Sequence, residues 1–374
     1  MEIKRSITNS IHEALDKKIV LLAGPRQVGK TFLSKHLVNN FSYYNFDSGE
    51  DRHILRKQTW NRESSLIIFD ELHKMKMWKS WLKGVYDTEG IPPSLVVTGS
   101  ARLDVFRKGG DSLAGRHRLF HLHPFSVAEL SHLNPDDALE KIMSNSGFPE
   151  PFLASSEKEV NLWRRSHLDV ILREDLMDLE NVRDIRSIEI LIELLSERVG
   201  SSISYSSLAE DLSVSSHTVK KWIQILEYLH VIFLVLPYSK NIAKAISKQP
   251  KIYFYDLGRV ENGDGARLEN VVACHLLKRN HFLLDTLGVK HELFYIRDKE
   301  KREIDFMTTK GRSIEYLIEV KKADDHFSNY LNYYHERLNP MCSYQVVHEF
   351  GKKQTLSKDK QIVKMSNFLG SLEA

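Results

Sequence analysis

At 374 residues and 42% hydrophobic content the chain is long enough for two or three domains with buried cores, and apolar runs such as Val231 to Leu236 are too short to cross a bilayer. The charged N-terminus MEIKRS lacks the apolar core of a signal peptide, so a cytoplasmic location with no membrane partner is expected, and two cysteines, Cys274 and Cys342, exclude a disulfide framework or a zinc site. A formal net charge of +3 permits contact with nucleic acid without arguing for it.

Ile3, Ile7, Ile11 and Leu15 recur at every fourth position, the stripe of a short amphipathic helix that packs against the strand after it. Strands are expected over 18–23, 41–46, 66–70, 94–98 and 118–122, alternating with helical stretches. Such alternation implies a parallel α/β sheet with its ligand beyond the carboxyl ends of the strands. Directly after the first strand stands GPRQVGKT: Gly24, Pro25, Arg26, Gln27, Val28, Gly29, Lys30 and Thr31 have the spacing of a phosphate-binding loop. The glycines permit a bend that turns backbone N–H groups toward phosphate, Lys30 adds an ammonium, and Thr31 offers a hydroxyl to Mg²⁺.

The strand Leu66 to Phe69 ends in Asp70-Glu71, with Asp70 placed to hold Mg²⁺ and Glu71 to polarise the water that attacks a γ-phosphate. The expected ligands are therefore ATP and Mg²⁺. Met75, Met77, Trp78, Trp81, Leu82 and Val85 read as core packed onto the sheet, not as a base-stacking platform. The strand Ser94 to Val97 ends in Thr98-Gly99-Ser100, where Ser100 either touches the γ-phosphate or belongs to an ordinary turn. Gly109 to Arg116 is a loop ending in Arg116, either an arginine finger for its own or a neighbour's nucleotide or an exposed arginine before a strand.

From Ile190 to Tyr238 the pattern changes to three short helices and an apolar strand, the order of a winged helix-turn-helix. On the third helix Ser215, Ser216, His217, Lys220, Lys221 and Gln224 face outward, as a nucleic-acid contact or as the solvated face of a docking module. Further on, Glu303-Ile304-Asp305 and Glu319-Val320-Lys321 lie in apolar strands. Residues i and i+2 share a strand face, so Glu319 and Lys321 point the same way, and a hairpin of 303–309 with 314–320 brings Asp305 to them. With Glu269 as a fourth member, the set is a candidate Mg²⁺ site for phosphodiester cleavage, or else a surface salt-bridge cluster. The spacing resembles the PD-(D/E)xK nuclease motif.

In order along the chain stand GPRQVGKT, the Asp70-Glu71 strand with Trp78, TGSAR at 98, SLAGR at 112, LHPFSVAEL at 122, GFPEP at 147, LREDL at 172, YFYDLG at 253, LEN at 268, REIDF at 302 and IEVK at 318. This set resembles a group of bacterial and archaeal AAA-type ATPases that join an ATPase module, a winged helix and a nuclease-like C-terminal domain. The expected fold class is accordingly an α/β P-loop NTPase sheet of AAA type over 1–135, a helical linker region over 136–189, a winged helix-turn-helix over 190–240 and an α/β restriction-endonuclease-like domain over 241–374. The resemblance implies ATP binding through Gly24 to Thr31, catalytic support from Asp70 and Glu71, a finger-like role for Arg116 and a nuclease-like fold around Glu269, Asp305, Glu319 and Lys321. In one respect the chain departs: ENGDGAR, Glu261 to Arg267, is shorter than the segment usual before the helix that carries Glu269.

The expected function is an Mg²⁺-dependent ATPase that couples ATP binding and hydrolysis to nucleic-acid binding or processing, on DNA more than RNA. A finger acting in trans implies a homo-oligomer. Two alternatives stand beside it: a slow nucleotide-dependent switch that binds a protein partner and carries an inactive nuclease-like platform, and an ATP-dependent nuclease.

Overall fold

The computed structural model describes residues 3–99, 113–176, 184–239, 249–324, 326–350 and 354–374, arranged in two compact units, Met1–Pro124 and Phe125–Ala374. The first unit runs α1 (Thr8–Leu15), β1 (Ile19–Ala23), α2 (Lys30–Lys35), β2 (Phe41–Asn45), α3 (Gly49–Lys57), β3 (Leu66–Asp70), α4 (Trp78–Glu89), β4 (Ser94–Thr98) and β5 (His117–His121). Every residue of β1 and β3 is buried, as continuous apolar runs are when helices cover both faces of a parallel sheet. The order is β2-β3-β4-β1-β5, parallel throughout. The chain leaves β1 toward β2 on one side, and leaves β4 toward β5 on the other. The strand order therefore reverses between β1 and β4, and the carboxyl ends of these strands are where such a sheet takes its ligand.

One face of the sheet is filled by Trp60, Phe69, Trp78, Leu82 and Val85. Trp60 and Trp81 meet Phe69 edge-on, with centroids 5.3 and 5.6 Å away, the geometry that ring quadrupoles favour. Met77 departs from the expected core stripe: it caps α4 with φ 63° and is 70% exposed. The expected first helix also starts late, at Thr8. Ile3 precedes it, and Arg5 is drawn into the protein in its place, donating to the carbonyls of Val28 (3.4 Å) and His123.

The second unit begins with helices Pro135–Asn145, Pro149–Leu153 and Glu157–Val170. Helices Ile185–Ser196, Tyr205–Asp211 and Ser216–Tyr228 follow, then β6 (Ile232–Pro237), antiparallel to β7 (Lys251–Phe254), with Ser202 bridged to Lys251. Ser204 and Ser215 cap the second and third of these helices by accepting from the N–H groups of Ser207 and Thr218. The long helix Gly263–Leu287 precedes β8 (His291–Arg297), β9 (Glu303–Lys310) and β10 (Ser313–Lys321), and the helix Asn329–Leu338 leads to β11 (Cys342–Val347), β12 (Gln354–Ser357) and β13 (Lys360–Lys364). These strands form one sheet in the order β12-β13-β11-β10-β9-β8-β6-β7. The boundary expected between 240 and 241 falls inside that sheet, because β6 pairs with β8 through Leu236 and Phe294. No described helix is long and apolar enough to cross a membrane.

Candidate functional site

The loop Gly24–Gly29 joins β1 to α2 through backbone that most side chains would resist. Gly24 has φ +141°, and a Cβ there would lie 2.2 Å from the carbonyl oxygen of Leu122. Gln27 and Gly29 also have positive φ, 60° and 99°, and Gly29 turns the chain directly into α2. Within the loop Val28 is buried, Arg26 is half-buried and Gln27 is exposed. The Lys30 ammonium lies inside the bend, donating to the carbonyls of Gly24 (2.8 Å) and Pro25 (2.7 Å). A phosphate in the bend would meet that ammonium and the first N–H groups of α2 together.

Asp70 ends β3 beside this loop and is 6% exposed. Its carboxylate accepts from the Thr31 hydroxyl (2.9 Å), the Tyr43 hydroxyl (2.7 Å), the Glu71 N–H (3.1 Å) and the Thr98 hydroxyl. Burial, and then the bond to Asp70, push the Tyr43 phenol well above its ordinary value, so it remains a donor. All four donors are neutral. A buried carboxylate held this way, touching the hydroxyl that follows the loop lysine, supplies the hard oxygen atoms that suit Mg²⁺. The donor set therefore fits a magnesium-bound triphosphate.

Glu71 sits at the strand end with φ 54°, a conformation uncommon outside glycine. Its carboxylate lies 3.6 Å from His73 Nε2 and 3.9 Å from Lys74 Nζ, and Lys74 also pairs with Asp47 at 2.6 Å. Ser100 lies outside the described residues. Arg116 is not brought to the loop. It precedes β5 at the amino end of the sheet, where its carbonyl accepts from Ile19 N–H (2.9 Å) and its guanidinium pairs with Asp87 at 2.6 Å. The hydrogen bond from Arg116 holds the Asp87 carboxyl below the usual range. β1 and β5 run parallel with Ile19 opposite His117 and Ala23 opposite His121, so a full strand, roughly 15 Å, separates Arg116 from the loop.

In the second unit β9 and β10 form the expected hairpin, pairing Ile318 with Phe306. The Val320 N–H donates to Asp305 at 2.9 Å, and continuing the register sets Glu319 opposite Asp305. Lys321 pairs with Glu319 Oε1 at 2.8 Å, and the buried Glu319 Oε2 has no hydrogen-bond partner among the described residues. Glu269 belongs to the same cluster through a residue that sequence spacing missed. Lys251, 1% exposed, places its ammonium 2.9 Å from Glu269, 2.6 Å from Glu303 and 3.7 Å from Asp305. Burial alone would lower that ammonium, but Glu269, Asp305 and Glu303 more than reverse the effect. Burial and then the charge of Asp305 raise Glu269 to about 7, while Lys251 and the Tyr253 hydroxyl, 2.6 Å away, oppose the shift. Among the described residues, no group of three or more His, Cys, Asp or Glu side chains is arranged to hold a metal ion.

On the helix Ser216–Tyr228, Val219, Trp222, Ile223, Ile225 and Leu226 are buried, and Ser216, His217, Lys220, Lys221 and Gln224 lie on its exposed face. Arg5, Tyr43 and Lys251 are the site-supporting residues that the sequence did not single out. For Lys251 a signal existed: a charged residue opens the apolar strand KIYF two positions before Tyr253, on the same face.

Residues 16–131 match the family described as an AAA domain, residues 136–262 match a domain of unknown function (DUF8612), and residues 264–368 match another (DUF4143). An uncharacterized protein of Mycobacterium tuberculosis is 26% identical over 337 residues, covering 86% of this chain and 74% of its own length. An uncharacterized protein of Methanocaldococcus jannaschii is 24% identical over 333 residues, covering 78% of this chain and 72% of its own. Among solved structures, RuvB of Thermotoga maritima aligns at 15% identity and TM-score 0.32, over 62% of this chain and 88% of its own. The Orc1 protein of Aeropyrum pernix in complex with DNA aligns at 14% identity and TM-score 0.28, over 72% and 91%. The parallel five-stranded sheet and the matched residues 16–131 fit the P-loop NTPase fold of an AAA-type ATPase domain.

Proposed function

We propose that this protein is an Mg²⁺-dependent ATPase whose nucleotide state governs contact with a nucleic acid, DNA more than RNA. The observation that carries the reading is the hydroxyl of Thr31 lying 2.9 Å from the carboxylate of Asp70, next to a loop that encloses the Lys30 ammonium. In this reading the N–H groups of Gly24 to Thr31 and the Lys30 ammonium hold the β- and γ-phosphates, and Thr31 and Asp70 hold Mg²⁺. Bound there, the ion supplies charge neutralisation for the phosphates. Glu71 orients the attacking water and accepts its proton. Arg116, a strand's length from its own loop, serves the nucleotide of a neighbouring copy. That role requires a homo-oligomer.

For the second unit, three helices followed by the antiparallel pair β6–β7 support a winged-helix reading. A helix, three antiparallel strands, a helix and the parallel strand β11 support a nuclease-like fold for the remainder. The exposed Lys220 and Lys221, with Ser216, His217 and Gln224, suit phosphate and base-edge contact. The test is ATP turnover measured alone and with single-stranded DNA, duplex DNA and RNA. Stimulation by any of these supports the proposal, and turnover indifferent to all three refutes the coupling. The second reading, a nucleotide-dependent switch that binds a protein partner, is favoured by the lysine inside the carboxylate cluster, which makes an inactive platform of the nuclease-like part. Calorimetry that finds no heat with ATP and Mg²⁺ would sink both.

A further inference from the structure

We propose that the Lys251 ammonium is the resident cation of the carboxylate cluster formed by Glu269, Glu303 and Asp305, and that it keeps divalent metal out of the C-terminal domain. The inference rests on the nuclease-like reading of that domain, which is where a metal would otherwise be expected. An ammonium has three N–H donors, and here three carboxylates surround it at 2.9, 2.6 and 3.7 Å. They come from the helix Gly263–Leu287 and from β9, whereas the lysine comes from β7. A divalent ion would claim the same oxygen atoms at about 2.0–2.6 Å, and so would occupy the volume that Nζ fills.

Lys251 is buried, 1% exposed, with its Nζ 5.5 Å from the Tyr295 ring centroid. Two further carboxylate oxygens are engaged by other partners. Asp305 Oδ2 accepts from the Val320 N–H, and Glu319 Oε1 is held by Lys321. Among the described residues Glu319 Oε2 is buried without a hydrogen-bond partner. The ammonium thus does by packing what an ion does by binding: it ties β7 to the helix and to β9.

The probe is Mn²⁺ alone, titrated without nucleotide into the full chain and followed by calorimetry. Wild type and Asp305→Asn should bind Mn²⁺ alike, since any weak binding at Thr31 and Asp70 is common to both. A wild-type affinity more than tenfold above that of Asp305→Asn overturns the proposal. Lys251→Met should gain at least tenfold in Mn²⁺ affinity, lose that gain in Lys251→Met/Asp305→Asn, and melt at a temperature that Mn²⁺ raises. A folded Lys251→Met that gains nothing also overturns it. If Lys251→Met does not fold, the comparison of wild type with Asp305→Asn decides alone. Failure of the ATPase reading appears separately, as loss of heat with ATP.

Discussion

Gly24→Ala tests whether the loop geometry is set by the sheet around it. The added Cβ would stand 2.2 Å from Leu122 O, whereas real Cβ atoms keep at least 3.0 Å, so at least 3.0 − 2.2 = 0.8 Å must be recovered. The obstacle is backbone, and it is held: Leu122 N–H donates to Ala23 O at 2.8 Å, and Leu122 is 1% exposed. A side chain at φ +141° costs about 1–3 kcal/mol in strain, and overpacking adds about 1–3 kcal/mol, for a total of roughly 2–6 kcal/mol. For a unit of this size each kcal/mol moves the midpoint by about 4 °C, so Gly24→Ala should melt roughly 10 °C or more below wild type. Trp60, Trp78 and Trp81 lie in this unit and report its unfolding by fluorescence. Gly49→Ala is the control, since its Cβ meets nothing within 4 Å. Equal midpoints for the two variants, with ATP binding intact in Gly24→Ala, would refute the reasoning.

Lys30→Ala should abolish ATP binding by calorimetry, whereas Glu71→Gln should retain binding and lose turnover; equal loss of both contradicts the two roles. Arg116→Ala should lower turnover on the order of a thousandfold in the assembled protein and not at all at dilutions where the wild-type rate per chain has already collapsed. No change at high concentration removes Arg116 from the mechanism. His275 is buried, accepts from Val127 N–H at Nε2 (3.1 Å) and donates from Nδ1 to Val271 O (2.8 Å), and burial lowers its pKa from 6.5 to about 4. The fold holds the imidazole neutral while the unfolded chain takes up a proton below pH 6.5. Its stability is therefore complete above 6.5 and falls as pH drops toward 4, by about 1.4 kcal/mol per unit. Glu269, raised to about 7, contributes the opposite slope in both proteins, so between pH 7.5 and 5 the urea midpoint of the second unit should lose more, or gain less, on acidification in wild type than in His275→Gln; parallel slopes would refute the assignment.

The buried strands and the loop were legible because a parallel strand covered on both faces must be continuously apolar, and because Gly24, Gly29, Lys30 and Thr31 are contiguous. The β9–β10 hairpin was legible for a related reason, its alternating pattern being local. What stayed hidden depends on distant segments meeting. Arg5 reaches Val28 and His123, Tyr43 reaches Asp70, and Lys251 reaches Glu269 and Glu303, and no spacing in the sequence encodes such meetings. Arg116 shows the converse limit. Its place before a strand was readable, but which end of the sheet that strand starts from depends on the parallel pairing of β5 with β1.

The two acidic centres differ in what completes them. Asp70 is fixed by three hydroxyls and one N–H, all neutral, so its charge is positioned without being cancelled. A cation brought with a nucleotide meets an anion that is already desolvated and oriented, and it does not have to displace a lysine. Glu269, Glu303 and Asp305 are fixed by Lys251, so their charge is both positioned and offset. A cation arriving there must compete with a buried ammonium. The neutral donors around Asp70 therefore suit repeated binding and release of an ion, and the lysine in the other cluster suits permanence. On the proposed reading, this difference in partner chemistry goes with turnover in the first unit.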